Sequence, residues 1–138
     1  LNAHQAALAL MGISAPDQRT AIEHLLRGLP ASGWQRIAVA TNLADQQLAD
    51  AIQISISTLT RRKREGRFTP EESDRLYRLV QLYGLAADVM GNEDAGKDWM
   101  TTPAWALEGR TPLETVRNEA GARQVEDLLL RIEYGVYG

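Results

Sequence analysis

The stretch TPEES at residues 69–73 constrains this chain more than any other. Thr69 is a capping residue and Pro70 suits the first helical position. Glu71 and Glu72 put negative charge in the first turn, where the helix dipole favours it. Leu76, Leu79, Val80, Tyr83 and Leu85 then recur at helical spacing, so the pattern predicts a helix from Pro70 to Met90. Gly84 inside it costs roughly 1 kcal/mol relative to Ala, which a helix of this length tolerates. A chain of 138 residues has room for one domain, or two small ones, around such a helix. Period-two alternation is confined to the short IQISIS at 52–57. The fold class expected is all-α.

Local signals place the other helices. Residues 1–16 carry no decisive pattern, although HQAALALM at 4–11 suits a turn or two of helix. Thr20 to Arg27 puts Ile22, Leu25 and Leu26 on one face, and Gly28 and Pro30 stop it. Ser32 reads as the cap of the next helix, with Trp34, Ile37 and Ala38 inward and Asn42 closing it. Asp45 reads as the N-cap of QQLADAIQ, with Leu48, Ala49 and Ile52 inward. Ser55 or Ser57 caps TLTRRKRE, which ends at Gly66. After the stop at Gly91 and Asn92, EDAGKDWM forms a short helix with Trp99 buried. TTPAWALEGRTP is irregular, its two X-Pro bonds restricting the chain. Thr111, Pro112 and Glu114 start PLETVRNEAG as one short helix. The last helix runs from Ala120 to Glu133, with Ala122, Val125, Leu128, Leu129 and Ile132 as its apolar stripe and Gly135 beyond its end. Trp34, Trp99 and Trp105 are assigned to the core or to helix joints. Tyr134 and Tyr137 flank Gly135 and are either folded back or offered to a partner. The expected organisation is an N-terminal segment 1–19 without assigned structure, a region 20–90 and a region 91–138.

Composition narrows the chemistry. The chain has no Cys, which excludes disulfides, thiolate catalysis and Cys-bound zinc and makes a reducing, cytoplasmic setting the expectation. No apolar run approaches the ~20 residues of a membrane span. The two histidines, His4 and His24, stand apart from any acid or nucleophile. Helix starts and solvated faces account for the carboxylates at Glu71, Glu72 and Asp74 and at Glu126 and Asp127. No phosphate loop, nucleophile elbow or His-Glu zinc pattern is present. Neither an enzyme nor a metal or other cofactor is expected.

Charge points elsewhere. The formal net charge is −3, but residues 61–80 hold seven cations against four acids, and residues 81–138 hold five against ten. A confined basic stretch with an acidic remainder suits a specific DNA reader. From charge alone, a solvated helix face explains most such runs. The surrounding pattern favours the first reading. Ala49 is small enough for two helices to cross closely, a turn follows at Gln53–Ser55, and Ile54 and Leu59 pin the next helix to the core. That is helix-turn-helix spacing. Ser55, Ser57 and Thr58 sit at the start of the second helix, and Thr60, Arg61 and Arg64 share its outward face. Arg62, Lys63 and Arg67 add to the positive charge available for phosphates. Gln53 stands where many such turns have Gly, so the turn either differs slightly in shape or carries the strain of a left-handed residue.

The C-terminal residues Pro103, Leu107, Gly109 to Leu113, Gly121 to Arg123, Val125, Glu126, Leu129 and Gly135 to Tyr137 resemble the toxin-binding domain of the Xre-type antitoxins paired with RES-domain toxins, the MbcA/ParS/Xre family. The resemblance runs from about Thr20 to the end. It departs from the family pattern at Gln53 and at Trp105, where a small residue or a Pro–Ala pair is more usual. It implies a protein that neutralises an NAD-degrading toxin and represses its own operon. The DNA-binding residues would be Ser55, Ser57, Thr58, Thr60, Arg61, Arg62, Lys63, Arg64 and Arg67. The toxin-binding residues would be Glu133, Tyr134, Val136, Tyr137 and Gly138, with Arg110 and Arg123 joining that surface or bracing the domain. The implied partners are a RES-domain toxin, operator DNA and a second copy of the chain, with the long helix the first candidate for the dimer contact. The alternative is an interaction module, or a helix-turn-helix regulator, that inhibits no toxin.

Overall fold

The computed structural model describes residues 9–11 and 18–135. Expectations about His4, most of the N-terminal segment, Val136, Tyr137 and Gly138 lie outside the described residues. The described residues form helices and no strand; one isolated bridge joins Pro30 to Arg67. The helices are α1 (Gln18–Arg27), α2 (Trp34–Thr41), α3 (Asp45–Ala51), α4 (Ile56–Glu65), α5 (Pro70–Met90), α6 (Glu93–Met100), α7 (Pro112–Thr115) and α8 (Glu119–Glu133). Single 3-10 turns span Ala31–Gly33 and Trp105–Leu107. The chain divides into two compact units, 1–81 and 82–138, with the division inside α5.

The first unit is built around Trp34. Its ring packs against Phe68 with centroids 5.8 Å apart, and its indole N–H donates to Asp45 Oδ1 at 2.8 Å. That bond redirects Asp45, which was expected to cap α3. The cap is Ala44, whose N–H donates instead to Gln47 Oε1 at 2.9 Å. Ser32 likewise caps nothing, because the chain enters α2 through the 3-10 turn. On α1 the inward residues are Ala21 and Leu25, whereas Ile22 and Leu26 are exposed. Ile37, Leu48, Ile52, Leu59 and Leu76 complete the core. Ser73, buried on α5, accepts a hydrogen bond from the Leu29 N–H at 2.8 Å and ties the α1–α2 connection to the long helix.

In the second unit the end of α5 is followed by three helices. Gly96 on α6 lets the two backbones meet: a Cβ there would lie 2.6 Å from the Ala87 nitrogen. Gly121 on α8 is tighter still, since a Cβ would overlap the Thr115 carbonyl. That approach divides the segment expected to be one helix. α7 stops at Thr115, and Asn118 caps α8 by accepting from the Gly121 N–H at 2.7 Å. Met100, Leu107, Val116, Val125 and Leu129 fill the interior. Trp99 is half-buried and Met100 takes the core position expected of it. Trp105 is a larger correction: it is 96% exposed.

Candidate nucleic-acid and protein-binding surfaces

α3 and α4 form the first surface. Ala49 is fully buried at their crossing, and the turn closes through Gln53 N–H to Asp50 O at 3.1 Å and Ile54 N–H to Ala49 O at 3.0 Å. Gln53 is left-handed, with φ of 61°. It therefore supplies the geometry that Gly usually supplies, at the cost of strain for a residue with a Cβ. Ile54 and Leu59 are buried and seat α4. Ser55 is its N-cap, accepting from the Thr58 N–H at 3.0 Å. The Ser55 hydroxyl also donates to the Thr58 hydroxyl at 3.1 Å.

The sequence-selected side chains then part company. Ser55, Ser57, Thr60, Arg61, Lys63 and Arg64 are exposed, and Thr58 is half-buried. Lys63 stands 3.9 Å from Asp45 in an open pair. Arg62 turns inward: its side chain is 13% exposed and forks onto Glu72, Nε to Oε1 at 2.7 Å and Nη2 to Oε2 at 3.0 Å. Its remaining Nη1 donates to Glu65 at 3.0 Å. Two acids thus hold its guanidinium well above its ordinary pKa. Arg67 Nη1 donates to the Gly28 carbonyl at 2.7 Å, beside the backbone bridge between Pro30 and Arg67. Arg62 braces the unit, Arg67 is exposed beyond α4 with one nitrogen engaged, and the outward cations of α4 are Arg61, Lys63 and Arg64.

The second surface lies on α8 and the loop before α7. Glu133 and Tyr134 are exposed at the end of α8, and Gly135 terminates it with φ of 68°. Arg123 pairs with Glu119 at 2.8 Å on the open face of α8, and Arg110 donates to the Leu107 carbonyl at 3.2 Å. Two hollows lie against α8. One, of about 270 Å³, is lined by Asp127, Leu130, Arg131 and Tyr134. The other, of about 150 Å³, shares Asp127 and Arg131 and adds Ala106, Leu107, Gln124 and Leu128. The sequence reading missed both these hollows and the exposure of Trp105. A usable signal existed: Trp105 has Thr101, Thr102, Glu108 and Gly109 at helical spacing, so no apolar stripe runs through it. Among the described residues no group of three or more His, Asp or Glu could hold a metal ion, and no helix is long and apolar enough to cross a membrane.

Residues 20–81 match the Antitoxin Xre-like helix-turn-helix domain. Residues 85–135 match the Antitoxin Xre/MbcA/ParS C-terminal toxin-binding domain. An Antitoxin Xre of Yersinia enterocolitica is 34% identical over 130 residues, covering 92% of this chain and 87% of the relative. The chain belongs to the Xre antitoxin family. Other members similar to it are an Antitoxin Xre of Pseudomonas putida, 36% identical over 62% of this chain and 54% of that protein, and one of Photorhabdus laumondii, 32% identical over 81% and 77%. In family terms, the first surface lies in the helix-turn-helix domain and the second in the C-terminal toxin-binding domain.

Proposed function

We propose that this Xre-family chain neutralises an NAD-degrading RES-domain toxin by covering its active site, and represses its own operon by binding operator DNA as a homodimer in the cytoplasm. The chain itself performs no catalysis. The observation that carries this reading is an α8 ending in exposed Glu133 and Tyr134 within a unit that matches a toxin-binding domain. An ordered helix with a projecting end suits a steric plug. Glu133, Tyr134, Val136, Tyr137 and Gly138 are the proposed contacts at the toxin entrance, with Arg110 and Arg123 beside them. Operator contact falls to Ser55, Ser57, Thr58, Thr60, Arg61, Lys63 and Arg64. Dimerisation doubles the half-sites held and so multiplies affinity. The long helix stays the first candidate for the dimer contact: Leu76, Leu79, Val80 and Leu82 are buried, but Leu85, Val89 and Met90 near its end are only half-buried.

The test is NAD consumption by the toxin encoded beside this chain, with and without the chain. Strong turnover abolished by near-stoichiometric addition is expected. Turnover that the chain leaves untouched would sink the antitoxin reading and leave a helix-turn-helix regulator.

A further inference from the structure

Trp105 is the most exposed large hydrophobic residue among those described, at 96%. A single surface apolar residue needs no explanation. Trp105 differs in being held on a closed loop rather than on a loose segment. The Ala104 N–H donates to the Arg110 carbonyl at 3.0 Å and closes the loop. The N–H groups of Leu107, Glu108, Gly109 and Arg110 all bond within it, and Leu107 is buried beneath it. The backbone thus holds the indole in water with its rotamer freedom as the main remaining entropy. Its neighbour Ala106 lines the smaller hollow, which shares Asp127 and Arg131 with the larger one, and exposed Tyr134 lines the larger. Trp105 and Tyr134 are the two exposed large hydrophobic residues described in this unit, and Tyr134 lines the larger hollow beside Leu130. Exposed aromatics on rigid supports are the residues that dominate protein interfaces.

We propose that Trp105 is an affinity-determining anchor for the toxin, buried against an apolar pocket of the toxin in the complex; this rests on the antitoxin reading above. The occupant follows from charge. Residues 82–138 hold ten acids against five cations, a surface that attracts a basic partner and repels a second copy of itself. The position agrees: Trp105 lies within the residues matched by the toxin-binding domain, as does Tyr134.

The experiment is calorimetric titration of the purified toxin into the full chain and into its Trp105→Ala and Trp105→Phe variants. Trp105→Ala should weaken binding roughly 30-fold or more, as truncation of an interface tryptophan does, and Trp105→Phe several-fold less. Operator binding and melting temperature should stay at wild-type values, because the side chain supports nothing in the fold. In parallel, fluorine NMR of fluorotryptophan-labelled chain gives a resonance for each of its three Trp, that of Trp105 identified by its loss in Trp105→Phe. Addition of unlabelled toxin should shift the Trp105 resonance. Affinity within threefold of wild type for Trp105→Ala would overturn the anchor and leave the antitoxin reading intact. Movement of the resonance on concentrating the chain alone would assign the surface to self-association instead. Absence of wild-type binding would remove the antitoxin reading and the anchor with it.

Discussion

Two opposing influences act on the Glu72 carboxyl. Burial raises its pKa, and the bonds from Arg62 and Thr69 lower it by more, so the carboxyl sits below its ordinary range. A carboxylate with a depressed folded pKa contributes stability above its unfolded pKa, about 4.3. That contribution is lost as pH falls through the folded value. Glu72→Gln should therefore destabilise the chain at pH 7 by about 2–3 kcal/mol, below the full penalty for a deeply buried pair because Arg62 keeps some solvent. The gap between wild type and variant should shrink as the pH drops below about 4. Thermal melts from pH 3 to 8 (roughly spanning the carboxylate range) check this, and a pH-independent gap would mean that the ion pair is not its source. Gln53 argues the opposite sign. Its φ of 61° penalises a side chain, so Gln53→Gly should stabilise by about 0.5–1 kcal/mol, the relief of strain less the entropy that Gly loses on folding. A lowered melting temperature would show that the Gln53 side chain contributes more than its backbone loses.

Helix boundaries were legible where their cause is local. Ser55, Thr69 and Thr111 each cap through bonds to a residue three positions on, and a sequence displays that spacing directly. Boundaries set by distant groups were not legible. Asp45 leaves the cap position for an indole eleven residues earlier, and α7 ends because α8 crosses its last turn at Gly121. The binding surfaces divide in the same way. The outward placement of Arg61 and Arg64 follows from helical period, whereas the inward placement of Arg62 depends on Glu72, which lies beyond the turn at Gly66. Gly121→Ala makes the distinction measurable. Intrinsic propensity alone would make Ala the better helix residue by about 1 kcal/mol. The overlap with the Thr115 carbonyl outweighs that, so the variant should lose about 2–3 kcal/mol. Urea unfolding decides between them, and a stabilised variant would show that the α7–α8 junction opens without penalty.

At the scale of the whole molecule the two surfaces are carried by different units, divided within α5. Their functions should therefore separate by mutation. Arg61→Ala combined with Arg64→Ala removes two exposed side chains without touching the core, so the fold and toxin neutralisation should survive. Operator binding should fall steeply, and its salt dependence should fall with it. With Arg61, Lys63 and Arg64 meeting phosphates in each half of a dimer, the slope of log affinity against log salt is roughly −5. Removing four of those six contacts should bring it to roughly −2. Deleting residues 134–138 should do the reverse, abolishing protection of NAD while operator affinity and salt slope stay at wild-type values. Electrophoretic shifts across a salt series, paired with the NAD assay on the same two variants, give four readings that must fall in this crossed pattern. Loss of both activities from either variant would mean that toxin and operator binding depend on one shared structure. An unchanged salt slope in the double Arg variant would move the phosphate contacts off α4 altogether.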